Sequence, residues 1–265
     1  MNADKTVKLE HGTVEIFERG DVRVHAYITH DAIDDVCLVL EHAGQAAVIE
    51  LPPFKENIAE LERYIAGLGV KTVAKIVDYH AAGDTFMHDV PAYSTEEANE
   101  YNTTGGGAGL IKGFISAFGA GFDSSVRLGE KILKAGKTQI AGIEMEILPN
   151  SEAFEIAIPS IRTVYMHMLG HDCHSIVPGK AGSEAMAANL QGYLDQGYEL
   201  FLSAHYAPEG REDVETKIRY LRRENEIAAA SKDAADFTAK MKAEFPGYSG
   251  ENYLGISAGI YFPSQ

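Results

Sequence analysis

Only two of the 265 residues are cysteine, Cys37 and Cys173, and they form no CxxC pair. Neither a disulfide framework nor a thiolate zinc knuckle can be built from them. Basic residues are also scarce: 23 Lys and Arg stand against 39 Asp and Glu, a formal net charge of -16. That balance argues against binding a phosphate backbone. The one basic cluster, Arg219, Arg222 and Arg223, shares its predicted helix with Glu212, Glu215, Glu224 and Glu226, which reads as a solvated, salt-bridged face. No apolar run reaches membrane-spanning length, and the opening MNADKTVKLEHG lacks the apolar core of a signal peptide. A cytoplasmic protein with neither a nucleic-acid nor a membrane partner is the expectation. Prolines number only 9 and 45% of residues are hydrophobic, so disorder is not expected and the length suits one large core or two small ones.

What is present is organised around Lys71 to Phe86, KTVAKIVDYHAAGDTF. A β-branched apolar run (Val73, Ala74, Ile76, Val77) stops at Asp78-Tyr79, and His80 and Asp84 follow with only Ala81, Ala82 and Gly83 between them. This pattern predicts a buried strand ending in a loop that presents an imidazole and a carboxylate. Loops at strand ends are where a rigid sheet leaves side chains free to reach a ligand.

Upstream, Val14 to Phe17, Val22 to Ile28, Val36 to Glu41 and Ala46 to Leu51 read as a β meander turning at Gly20-Asp21 and Ala43-Gly44. Ile58, Leu61, Ile65 and Leu68 give Asn57 to Leu68 one apolar helical face. The strand, helix, strand unit ending at His80 favours a parallel pair. Ser94 with Glu97 predicts a helix start. The glycine-rich Asn102 to Phe122 lacks the Walker spacing and the Lys-Ser/Thr ending of a phosphate loop, and a mobile apolar lid or pocket wall is expected. A second meander, Thr138 to Ile140, Ile143 to Leu148, Phe154 to Ile158 and Arg162 to Met168, runs into the loop LGHDCHSIVP. A helix from about Ser183 to Leu194 and a strand Glu199 to Ser203 follow, then helices Glu212 to Ala230 and Ala234 to Glu244 and an extended Tyr253 to Phe262. Ile218, Leu221 and Ile227 read as packing of the long helix on its own domain.

Three predicted strand-end loops carry the polar residues: His80 and Asp84; His171, Asp172 and His174; and His205. Imidazole and carboxylate are the ligands of zinc, iron or manganese, and a catalytic ion held by them acidifies water. His11, His25, His30 and His42 read as solvated or hydrogen-bonded, while His88 and His167 are open to either role. Cys173, flanked by Asp172 and His174, belongs to a pair whose side chains point apart when adjacent in sequence.

With AVIELPPFKENIAELERYI before the first loop and a two-fold repeat of meander, loop and helix, residues 13 to 210 resemble the metallo-β-lactamase-fold hydrolases. The fold this implies is α+β, a four-layer αββα sandwich of two similar mixed sheets flanked by helices. The expected arrangement is a single domain over 1–265, with 211–265 a helical and extended addition packed on it. Laid on the family's HxHxDH motif, HAAGDT keeps His80 and Asp84 and has Ala82 and Thr85 where histidines would stand. The position of the family's GHTPGH-like histidine falls in LPNSEAF. LGHDC resembles the Gly-Asp motif and makes Asp172 the bridging carboxylate by analogy, His205 matches the final histidine, and Glu50 stands where the family has the Asp of a strand-ending Asp-x-Gly.

With so many ligands replaced, the resemblance implies one divalent ion, zinc, iron or manganese, held by Asp84, Asp172 and His205. His80 and His171 would be further ligands or the proton donor and acceptor. The expected function is metal-dependent hydrolysis of a small-molecule substrate. The competing expectation is a metal-free binding or scaffold protein of the same fold.

Overall fold

In the computed structural model, which describes residues 1–263, the chain opens with an antiparallel meander of β1 (Lys5–Lys8), β2 (Thr13–Arg19), β3 (Val22–Ile28), β4 (Val36–His42) and β5 (Gln45–Ile49). The β4–β5 turn, Ala43-Gly44, has φ of 48° and 77°. Two positive φ values in a two-residue loop give the hairpin turn whose twist matches that of its strands, and His42 faces Gln45 across it.

Helix α1 (Lys55–Leu68) then carries the chain back so that β6 (Lys71–Ile76) pairs parallel with β5. Two short strands, β7 (Ala92–Ser94) and β8 (Lys131–Ile132), extend this eight-stranded sheet in parallel. The predicted apolar face of α1 is the one it buries: Ile58, Leu61 and Ile65 pack with Val14, Val39 and Val48 of the sheet. Because Val36 to Leu40 are all buried, β4 is covered on both faces.

The second sheet has the order β13-β12-β11-β10-β9, from β9 (Gly136–Ile140), β10 (Ile143–Pro149), β11 (Phe154–Ile158), β12 (Thr163–Met166) and β13 (Leu200–Ser203). Ile143, Met145 and Ile147 are buried while Glu144 between them is exposed, the period-two pattern of a half-covered sheet.

Two compact units emerge. The first comprises 2–167 with 202–208 and holds β1 to β12, the last two residues of β13, α1, α2 (Glu96–Thr103) and α3 (Gly106–Phe118). The second takes Met1, 168–201 and the chain from Glu209 onward, with α4 (Gly179–Asp195), α5 (Arg211–Ala229), α6 (Ala234–Glu244) and α7 (Glu251–Tyr261). The 211–265 stretch lies here together with α4, its last two positions falling outside the described residues. Ile218, Leu221 and Ile227 of α5 are buried.

Two local expectations change, at the α2 cap and at the C-terminal segment, and the glycine-rich stretch takes a defined secondary structure. The cap of α2 is Thr95, whose hydroxyl accepts the Ala98 N–H, and not Ser94, which ends β7 and donates to the Val77 carbonyl at 2.7 Å. The glycine-rich stretch folds into α3, started by Gly105 and packed through Phe114 and Phe118 on Phe54 and Phe122. Tyr253 to Phe262 is not extended but largely helical, in α7: Leu254, Ser257 and Ala258, at i, i+3 and i+4, are its buried face. Among the described residues no helix is long and apolar enough to cross a membrane.

Candidate metal centre

The His80 loop is fixed by Glu50. This residue leaves β5 at φ 65° and is fully buried. Its carboxylate accepts the backbone N–H groups of Asp78, Tyr79 and His80 at 3.2, 3.0 and 3.1 Å, and the Tyr165 hydroxyl at 2.8 Å. Four donors on one buried carboxylate close the loop where β6 ends. Glycine is required at position 83, where φ is 98° and a Cβ would sit 2.4 Å from the Pro52 carbonyl oxygen.

The other two imidazoles arrive from the second sheet. His167 follows β12, and its carbonyl accepts the Ser203 hydroxyl at 3.0 Å and the Ala204 N–H at 3.1 Å. His205 follows β13, and the Ala204 carbonyl before it accepts the Val36 N–H at 2.7 Å. That bond ties the His205 loop to the start of β4, where Asp35 stands.

Together these segments gather His80, His167 and His205, whose ligand nitrogens all lie within 4.8 Å of one another. Nε2 of His80 and Nε2 of His205 face each other at 3.1 Å. Two imidazole nitrogens on a tetrahedral zinc, each at about 2.0–2.1 Å from it, are roughly 3.3 Å apart. The ring centroids of His167 are 5.0 Å from His80 and 4.9 Å from His205, and His167 stacks on Tyr79 at 4.0 Å. Beneath the cluster, Asp35 Oδ1 is 3.5 Å from Nδ1 of both His80 and His205.

Burial keeps these rings neutral. It lowers His80 to about 4, and it lowers His205 to about 3 with a contribution from His80. His167 is pushed well below its ordinary value by burial and by the two neighbouring imidazoles. Neutral imidazole is the metal-binding form. Around them the carboxyls of Asp35, Glu50 and Asp78 are raised by burial, Asp35 also by Asp31 and Glu50. Nδ1 of His80, Nδ1 of His167 and both oxygens of Asp35 are buried with no hydrogen-bond partner among the described residues. Three neutral imidazoles over a buried acid fit a divalent cation, which would give these orphaned groups a charge to organise around.

Of the residues expected from the sequence, His80 and His205 meet. Asp84 is in the same unit, and its carboxylate faces Arg127 at 3.3 Å and His88 at 3.2 Å. His171 and Asp172 belong to the second unit. There the Glu209 carboxylate takes the His171 backbone N–H and Nδ1 at 2.7 Å each, and the Gly170 N–H at 3.2 Å. Partial burial acts to lower His171, but Glu209, Asp172 and Asp213 hold it above its ordinary value. The Asp172 carbonyl accepts the Ser249 N–H at 3.1 Å. His174 is buried against the Tyr220 hydroxyl at 3.0 Å, and the Cys173 thiol, also buried, donates to the His174 carbonyl. The sequence left His167 open between two faces and gave Asp35 no role. The available signal for Asp35 was an acid directly before a fully apolar strand, VCLVL.

Neither a family model nor a curated protein matches the sequence. Solved structures do. A metallo-β-lactamase from Erythrobacter litoralis matches 83% of this chain and 100% of its own, with a TM-score of 0.59 at 10% identity. A stereoselective inverting sec-alkylsulfatase from a Pseudomonas species matches 94% of this chain with a TM-score of 0.63 at 13% identity, and a double mutant of a sec-alkylsulfatase gives 0.65 at 12%. The chain spans about half the length of these sulfatase structures. The fold is therefore that of the metallo-β-lactamases, an α+β sandwich that also carries sulfatase chemistry in other proteins.

Proposed function

We propose that this protein is a metal-dependent hydrolase with a mononuclear centre held by His80, His167 and His205. The observation that carries the reading is the convergence of three neutral imidazoles, two of them with Nε2 atoms 3.1 Å apart. Three protein ligands with an open position are the pattern of catalytic rather than structural zinc, and nitrogen donors also suit iron. Zinc, iron or manganese bound there would supply Lewis acidity, polarising a scissile group and acidifying water.

The chain's own part is to hold the ligands still and neutral. Glu50 fixes the loop of His80, the Ser203 and Ala204 bonds to the His167 carbonyl fix His167 beside His205, and stacking on Tyr79 limits rotation of His167. His80, His167 and His205 are each only partly exposed, so a small molecule could reach them. The neighbours' names point to lactam amides or alkyl sulfate esters as the class to screen.

Elemental analysis of protein purified without added metal or a histidine tag tests the reading. About one equivalent of zinc, iron or manganese is expected, lost in the His80→Ala, His205→Ala double variant. If the parent takes up no metal after incubation with each ion, the hydrolase reading fails, and a metal-free binding protein in which the His80–His205 hydrogen bond is permanent replaces it.

A further inference from the structure

Asp35 has no hydrogen-bonding use of its side chain within the described fold. It is 1% exposed, both carboxylate oxygens lack a hydrogen-bond partner among the described residues, and so does Nδ1 of His80. The backbone around it is nevertheless well tied: its N–H donates to Asp31 Oδ1 at 3.3 Å, and its carbonyl accepts the Thr29 N–H at 3.0 Å and the Thr29 hydroxyl at 2.7 Å. The neighbouring bond from Val36 to the Ala204 carbonyl fixes Asp35 relative to His205. A buried carboxyl placed this firmly, yet without a partner, is costly and calls for a use.

We propose that Asp35 is a shared positioning residue, one carboxylate that takes the Nδ1–H of both His80 and His205 and so presents both Nε2 lone pairs to a single ion. The inference rests on the metal-centre reading above. A neutral imidazole carries one N–H, so fixing it on Nδ1 leaves the lone pair on Nε2. Carboxylates behind ligand histidines set tautomer and ring orientation in this way, ordinarily one for each ring. Here Oδ1 stands 3.5 Å from both Nδ1 atoms, a gap that a small ring rotation closes. The two rings differ in their dependence on it. His205 has a second acceptor, the Ile33 carbonyl at 3.3 Å, whereas Nδ1 of His80 has none among the described residues. Loss of Asp35 should therefore disorder His80 more than His205.

The experiment compares the full-length parent with Asp35→Asn and Asp35→Ala, each titrated with Co(II) by visible absorption and with Zn(II) by chelator competition. Side-chain ¹⁵N spectra of the zinc-loaded parent identify the protonated nitrogen of each histidine. We expect Nδ1–H on His80 and His205 in the parent, metal affinity about 10- to 100-fold weaker in both variants, changed Co(II) bands, and metal-free melting curves close to that of the parent. Coordination of either ring through Nδ1 overturns the proposal, as does a variant that binds Co(II) within threefold of the parent. Both of those results leave the metal centre standing. A parent that binds neither ion removes the centre and the role of Asp35 with it.

Discussion

Tyr165 donates its hydroxyl to Glu50 at 2.8 Å and lies 3.2 Å from Asp78, joining the second sheet to the two carboxyls that frame the His80 loop. One hydroxyl proton cannot serve two anions at once. Burial and Glu50 raise Asp78 well above the ordinary carboxylate range, and the shorter bond goes to Glu50. Removing the hydroxyl in Tyr165→Phe should cost about 1.5–3 kcal/mol, the range for a hydrogen bond to a charged group. Glu50→Ala, which strands three backbone N–H groups as well, should cost more, about 1–3 kcal/mol for each of them. Urea denaturation measures both, and equal effects from the two variants would contradict this division of labour.

Two glycines test how far the His80 loop is sterically set. Gly44 and Gly83 both have positive φ, 77° and 98°, but nothing lies within 4 Å of a Cβ at Gly44, whereas at Gly83 the Pro52 carbonyl oxygen is 2.4 Å away. Gly44→Ala should cost about 1 kcal/mol for backbone conformation alone. Gly83→Ala should cost more than about 2 kcal/mol, because backbone must move as well, and it should also weaken metal retention through His80. A Gly83→Ala protein with parental stability and metal content would show that the loop tolerates the shift.

The elements that local periodicity specifies were legible in the sequence. The meander, α1 and β6 follow from alternation and from the i, i+3, i+7 spacing of Ile58, Leu61 and Ile65, and the sandwich followed from their order together with the family resemblance. The histidine cluster was legible only in part. His80 and His205 sit at strand ends in plain view, but His167 is a ligand candidate only because β12 and β13 are adjacent, and Asp35 only because Val36 binds the Ala204 carbonyl. Those are long-range facts. Asp84, a ligand candidate by motif, has an arginine 43 positions away at 3.3 Å, another long-range fact. At α7, aromatic and β-branched residues favoured an extended reading, and tertiary burial of Leu254, Ser257 and Ala258 outweighs that propensity.

Helix α3 offers a surface prediction. Leu110 and Ile115 are 53% and 48% exposed, and the helix carries no acidic residue in its first turn. Glutamate at both positions should shift stability by no more than about 0.5 kcal/mol, as for ordinary surface changes, while lowering the binding of a hydrophobic dye. A large loss of stability would mean that this face is covered in solution.

Glu224 gives the second unit a pH dependence. It is fully buried, with neither oxygen hydrogen-bonded among the described residues, and burial raises it to about 8 against the opposing charge of Lys217. The folded protein therefore keeps a proton on Glu224 that the unfolded chain releases near 4.5. The stability contributed is complete below that value and falls, by at most about 1.4 kcal/mol per pH unit, as pH rises towards 8. Lys217 works in the opposite sense: burial lowers it from 10.5 to about 8, so stability returns as pH climbs from 8 to 10.5. The two slopes meet near pH 8, where the unit should be weakest. Glu224→Gln removes the first slope and keeps the volume. Its urea midpoint should match that of the parent near pH 5 and exceed it increasingly up to pH 8, with Lys217 alone shaping the curve above. Parallel midpoints for parent and variant across this range would mean that Glu224 does not hold its proton in the folded state.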